Sequence, residues 1–272
     1  MTTKPPIKVA CFSDTHGNWS QVLPYLDRLK EEDVNLIIHS GDICGHFIDR
    51  YERPGSHDDR AGQTRWFLDN WAEWCAENPQ IQMVMIPGNH DFAFAEPPKW
   101  AGNFWDWKFQ DEEMSSVGYI PGIFADNCPS NLHILNQTSV ELFGRVIWGG
   151  PHSPNFWNWA FNFPKDPMEY EKVSSDYWEQ IPSNVDILIS HGPPQGILDK
   201  APDGRGCGCY HLKKQFGCGV AGTERIAPEL MVFGHIHSGH GNLTAGKTTF
   251  VNASMCNEKN QIVNPPTIIT LT

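Results

Sequence analysis

Five short apolar runs, each stopping at a polar cluster of Asp, Asn, His and Gly, constrain this chain more than any other feature. IKVACFS leads into Asp14-Thr15-His16 and NLIIHS into Gly41-Asp42. IQMVMIP leads into Gly88-Asn89-His90-Asp91, VDILIS into His191-Gly192, and ELMVF into Gly234-His235-Ile236-His237. Short β-branched runs bounded by turn residues read as buried strands. Between the first two, residues 20–33 have a helical period, with Val22, Leu23, Leu26 and Leu29 on one face and Pro24 expected in the first turn. Residues 63–77 are helical in period again. Residues 131–150 read as strands joined by a turn near Phe143 and Gly144, and TTFVNAS and PTIITL as closing strands. A βαβαβ first half and a strand-rich second half make a layered α/β fold. No internal repeat or Pro/Gly/Ser-rich linker interrupts the chain, so one domain over residues 1–272 is expected. Residues 45–62 and 92–130 read as long loops.

In layered α/β proteins ligands gather at the C-terminal ends of strands. Five such ends, each fixed by an apolar run, can therefore bring distant side chains to one edge. Asp, Asn and His together form a mixed oxygen and imidazole donor set, which suits Mn, Fe or Zn. Composition narrows the partners. The net charge is −12, from 20 Lys and Arg against 32 Asp and Glu. Such a surface repels long nucleic acids but admits a small phosphate ester where bound cations reverse the local field. No stretch approaches the ~20 apolar residues of a membrane helix. The N-terminus enters a strand-like run directly, and eight cysteines are too sparse for a disulfide scaffold, so a reduced, cytoplasmic protein is expected.

The motifs D-x-H, G-D, G-N-H-D, H-G and G-H-x-H, in this order, resemble the calcineurin-like metallophosphoesterase superfamily, over residues 7 to about 254. The resemblance implies an αββα sandwich, two mixed β-sheets flanked by helices. It implies that Asp14, His16 and His237 hold one metal ion, that Asn89, His191 and His235 hold a second, and that Asp42 bridges the two. His90 would face the phosphate as the catalytic residue, protonating the leaving group or stabilising charge, and Asp91 would orient a histidine. Two divalent or trivalent ions would activate a hydroxide for attack on phosphorus. The segments WGGPHSPNFWNWAFNFP (148–164) and HGPPQGILD (191–199) are similar to the small class III phosphodiesterase-type proteins, whose members cleave phosphodiesters, including cyclic nucleotides.

Other features have plainer readings beside the chemical ones. His39, His46, His57, His133, His152, His211 and His240 are read as solvated or satisfied side chains, with His152 also a candidate for touching substrate. Cys207, Cys209, His211 and Cys218 lie close in sequence, but their spacing is no standard zinc finger and the stretch reads as loop. Trp100, Phe104, Trp105, Trp107, Phe109, Trp157 and Trp159 either pack a loop against the core or stack on a base. The expected activity is hydrolysis of a small phosphodiester. A phosphomonoesterase or protein phosphatase with the same site, and a catalytically silent metal-binding scaffold, stand as alternatives. Oligomeric state is open.

Overall fold

The computed structural model describes residues 4–47, 57–95, 122–157, 159–217 and 222–272. Two mixed sheets pack face to face between outer helices, the αββα sandwich that the resemblance implies. The first sheet has the order β11-β1-β2-β3-β4. Its strands are β1 (Ile7–Phe12), β2 (Leu36–His39), β3 (Gln82–Met85), β4 (Leu132–Ile134) and β11 (Thr267–Leu271). β11 alone runs antiparallel. The second sheet has the order β5-β6-β7-β8-β10-β9. It contains β5 (Thr138–Leu142), β6 (Arg145–Gly150), β7 (Ile187–Ser190), β8 (Leu230–Phe233), β9 (Gly241–Ala245) and β10 (Thr248–Asn252). Its middle four strands are parallel and its two edges antiparallel.

Period-2 alternation divides each buried strand between two cores. Val9, Cys11, Leu36, Ile38, Val84 and Ile86 face Ile147, Ile187, Ile189, Leu230, Val232 and Val251 in the layer between the sheets. The opposite residues of the first sheet, Ala10, Phe12, Ile37, Met83 and Met85, meet the helices α1 (Trp19–Leu29), α2 (His57–Phe67) and α3 (Glu73–Glu77). Trp148, Leu188, Met231 and Phe250 meet α5 (Pro167–Glu179) and α6 (Tyr210–Gln215). Both faces of the parallel strands are therefore covered, which explains why they read as continuous apolar runs.

Several sequence expectations shift. α1 stops at Leu29, its last apolar position, rather than at residue 33. Pro24 sits in its second turn and not its first, so it removes the bond to Ser20; both residues are exposed, which places that loss on the solvent side. The helix expected at 63–77 begins at His57 and continues through a π turn at Leu68–Ala72 into α3. Its first turns, HDDRAG, carry almost no apolar residue and hence no hydrophobic period. The expected loop at 45–62 is shorter for the same reason. A 3-10 turn at Phe92–Phe94 and α4 (Gly122–Asn127) occupy both ends of the loop expected at 92–130. Its aromatics Trp100, Phe104, Trp105, Trp107 and Phe109 lie outside the described residues. The turn at Phe143 and Gly144 forms as expected, both at positive φ. α5, α6 and β9 went unread. The start of α5 carried a local signal: Asp166 accepts from the N–H groups of Met168 and Glu169, and Pro167 occupies the first helical position.

Trp71, on the π turn, is fully buried edge-on to Phe12, Trp19 and His39, beneath the ends of β1 and β2. Trp71→Ala should cost roughly 3–5 kcal/mol. Urea unfolding of the variant measures it, and a loss below ~1 kcal/mol would show that this layer collapses to fill the space.

Candidate metal centre

The five polar clusters all emerge at the C-terminal ends of parallel strands, three from the first sheet and two from the second. The sheets are joined at this end, where Ser13 bridges Ser254 and the Met255 N–H donates to the Ser13 carbonyl at 3.0 Å. The site straddles that seam.

Its backbone is strained. Asp14, His16, Asp42 and His235 all have φ between +44° and +67°, the left-handed region, at an expected cost of about 1–3 kcal/mol each. Hydrogen bonds between the loops hold these conformations. The Asp14 N–H donates to Gly41 O at 2.9 Å, His16 N–H to Asp42 O at 3.0 Å, and Gly234 N–H to His191 O at 2.9 Å. Asp91 completes the lock. Its carboxylate accepts from the N–H groups of Gly88 (2.7 Å), Cys44 (2.8 Å) and Ile43 (3.0 Å). It thus fastens the Asp42 loop to its neighbour instead of orienting a histidine, as the sequence had suggested. Burial, with the Asp42 charge, pushes this carboxyl up to about 7 against the pull of those three donors. Gly234 has no substitute: a Cβ there would strike the Asp14 carboxylate and the Ser13 hydroxyl.

All eight residues expected at the site meet here. Asp14, His16 and His237 form one group of convergent donor atoms; Asp42, His191 and His235 form another; His16, Asp42 and His90 form a third between them. Asn89 joins the second group, its Oδ1 lying 2.8 Å from His191 Nε2. Most of these side chains are fully or nearly buried.

The hydrogen bonds behind these side chains aim their lone pairs inward. His237 Nδ1 lies 2.9 Å from Asn257 O and His191 Nδ1 lies 3.0 Å from Ser40 O. A carbonyl accepts only, so both Nδ1 atoms carry hydrogen and both Nε2 atoms face the site. Asp14 accepts from the His235 N–H and, at 2.7 Å, from the Ser254 hydroxyl. Asp42 accepts from the His90 N–H at 2.8 Å. What remains at the centre is a set of acceptors facing one another, His191 Nε2 against Asn89 Oδ1 and Asp42 Oδ1 (3.4 Å), and His237 Nε2 against Asp14 Oδ1 (3.2 Å). Only a proton or a metal cation reconciles such groups, and their imidazole, carboxylate and amide chemistry fits a divalent metal.

The electrostatics repeat this conclusion. Burial alone would lower His191 and His237, but Asp42 beside the first and Asp14 beside the second lift both to about 9. Burial would raise Asp14, yet the charge and hydrogen bond of His237 hold it below the usual carboxylate range. His235, with weaker carboxylate support, is pushed down to about 4 by burial. His39 also follows burial, down to about 3. It is a satisfied core residue, paired with the Thr15 hydroxyl at 3.0 Å.

Sequence reasoning passed over several participants. Ser254 behind Asp14 followed no motif. The sequence reads His46 as a solvated or satisfied side chain, yet its Nε2 lies 3.0 Å from His90 Nδ1. Its position four residues after Asp42, beside Gly45, was the available signal. Trp159 packs on the His90 ring at 3.8 Å, which favours the packing reading for this aromatic. Phe156, edge-on to His235, and Trp157 remain exposed. His152 packs among Phe161, Phe163 and Tyr177, while His211 pairs with Glu171 at 3.1 Å. Cys209 is buried at the start of α6, where a loop had been expected, and Cys218 lies outside the described residues.

The family model described as calcineurin-like phosphoesterase matches residues 7–239. Human metallophosphoesterase domain-containing protein 1 is 32% identical, over 98% of this chain and 72% of its own length. UPF0046 protein T07D4.2 of Caenorhabditis elegans is 38% identical, over 97% of this chain and 60% of its own length. One solved crystal structure superposes with a TM-score of 0.53 at 17% identity, covering 91% of this chain and 90% of the other, and shares the fold.

A pH dependence follows from the carboxylate–histidine pairs. Protonated His191 and His237 are favoured in the folded chain, so their contribution is complete below about 6.5 and lost as pH rises through about 9. Asp91, raised to about 7, adds a loss of the same sign. Chelator-treated protein should therefore show a falling Tm between pH 6.5 and 9, by scanning calorimetry. Metal-loaded protein should hold its Tm, because the cation replaces the proton. Equal slopes for both would refute the pairing.

Proposed function

The chain belongs to the calcineurin-like phosphoesterase family and is a phosphoester hydrolase, and on that premise we propose that it uses two metal ions to cleave a small phosphodiester. The placement of Asp42 carries this reading: its carboxylate takes part both with His16 and with His191 and His235. In the assignment it supports, Asp14, His16 and His237 would hold one ion and Asn89, His191 and His235 the other, with Asp42 shared between them. Mn, Fe and Zn all suit such donors. When bound, two such ions neutralise phosphoryl oxygens and acidify a water for in-line attack on phosphorus.

The remaining work falls to His90. Its Nε2 lies 3.8 Å from Asp42 Oδ2 and its ring is 16% exposed, so it borders the site and stays open to a bound ester. Burial lowers it to about 3 in the empty site, and the negative charge of a bound phosphate ester would raise it, so that the ring takes up its second proton with substrate present. As the bond from phosphorus to the leaving oxygen breaks, Nε2–H donates its proton to that oxygen. A neutral alcohol then departs and water restores the proton.

A small substrate is favoured by the −12 charge, which opposes long nucleic acids. The 148–164 and 191–199 segments, similar to class III phosphodiesterases, favour a diester such as a cyclic nucleotide. The described cysteines are all free thiols, which fits a reducing, cytoplasmic setting. Among the described residues no helix is long and apolar enough to cross a membrane. A single metallophosphoesterase domain over residues 1–272 fits a family match that occupies most of the chain.

Mn-loaded protein should hydrolyse bis(p-nitrophenyl) phosphate and cyclic nucleotides faster than p-nitrophenyl phosphate. The reverse order would move the assignment to a monoesterase, and two bound metals without turnover would favour a scaffold. Asp42→Asn should lose both metals by elemental analysis, and retention of two would refute the bridge. His90→Ala should keep both metals while kcat drops about 10²–10⁴-fold; lost metal would make His90 a ligand.

A further inference from the structure

We propose that His46 is a positioning residue which, with Asp59, fixes the tautomer and ring orientation of His90. This rests on the assignment of His90 as the proton donor. The geometry is a continuous file. Asp59 Oδ2 lies 3.0 Å from His46 Nδ1, and His46 Nε2 lies 3.0 Å from His90 Nδ1. A carboxylate accepts only, so His46 Nδ1 carries hydrogen and donates to Asp59. When the His90 ring holds the proton it gives to the leaving group, both of its nitrogens carry hydrogen, so Nδ1 donates to His46 Nε2. His90 Nε2, on the far side of that ring, is left facing Asp42 as the atom that loses and regains the catalytic proton. In a phosphoester hydrolase this separates two duties of one imidazole: Nδ1 is anchored and Nε2 works.

The surroundings are built to hold the file. Asp59 is fully buried, and its Oδ1 accepts from the Phe47 N–H at 2.7 Å. One turn along α2, the Gln63 side chain donates to Gly45 O (3.2 Å) and His90 O (2.8 Å) and accepts from the Ala93 N–H (2.9 Å). Arg60 donates to Phe92 O and, at 2.8 Å, to Ala95 O. The polar first turns of α2 thus grip the loops bearing both histidines. Trp159 and Phe92 cover the two rings, with Trp159 edge-on to each and Phe92 tilted against His46. Asp91, the carboxylate adjacent in sequence, is committed to three backbone N–H groups.

The two nitrogens of His46 permit a discriminating test. A Gln side chain places its amide oxygen near the position of Nε2 and can accept from His90; an Asn places its amide nitrogen near that of Nδ1 and can only reach Asp59. Kinetics of metal-loaded His46→Ala, His46→Gln and His46→Asn, each with its metal content measured, are compared on bis(p-nitrophenyl) phosphate and on diphenyl phosphate, whose leaving group is poorer. His46→Ala should keep both metals and KM and lose roughly 10–100-fold in kcat on diphenyl phosphate, and less on the activated ester. His46→Gln should recover most of that loss and His46→Asn little. In a His90→Ala background His46→Ala should cause no further loss. Recovery by Asn and not by Gln would show that His46 merely fastens its loop to Asp59. A loss that adds fully to that of His90→Ala, or one equal on both esters, would likewise overturn the proposal. Full kcat in His90→Ala alone would instead remove the parent assignment, and this one with it.

Discussion

The centre of this protein is an electrostatic problem: buried carboxylate, amide and imidazole acceptors face one another with their other hydrogen-bonding positions already committed. Asn257 O, Ser40 O and the Ser254 hydroxyl turn His237, His191 and Asp14 so that lone pairs converge. Unpaired, such groups would be expensive in a low dielectric, several kcal/mol for each charge. A cation resolves the conflict, a proton as well as a metal ion: the neighbouring carboxylates lift His191 and His237 to about 9 against the effect of burial.

Much of the architecture serves that convergence. Left-handed backbone at Asp14, His16, Asp42 and His235 points side chains where a relaxed strand end would not. The strain is sustained by hydrogen bonds between loops from different strands, with Asp91 tying three N–H groups at the central crossing. Beneath them, apolar cores on both faces of each sheet keep the strand ends in register. Rigidity at the ends of strands suits a reaction whose barrier depends on fixed charges at fixed places.

A second organisation surrounds His90. The candidate metal ligands come from strand ends, but the groups that support His90 come from α2 and the aromatic segment after β6: Asp59 by way of His46, Gln63 and Trp159. The surroundings of His90 are therefore built by loops and a polar helix face, apart from the sheet. Exposed Phe156 and Trp157 belong to that same variable part, beside His235.

Most of the strands, the layered α/β class and the polar clusters that carry the central site were legible in the chain, and the resemblance picked its eight residues out of those clusters. Each rests on a local pattern, a β-branched run ending in a short polar motif, that neighbouring residues are enough to define. Asp91 shows the limit: its motif was visible, but its partners, Ile43, Cys44 and Gly88, come largely from another strand end. His46, Asp59 and Ser254 lay further out of reach, since their partners His90, His46 and Asp14 are 44, 13 and 240 positions away along the chain. The first turns of α2 escaped because polar contacts hold them, and polar contacts leave no hydrophobic period. Local sequence thus determined which groups stand at the strand ends. Tertiary structure alone decided what stands behind them, because a hydrogen bond depends on distance and angle in space and leaves no trace in spacing along the chain.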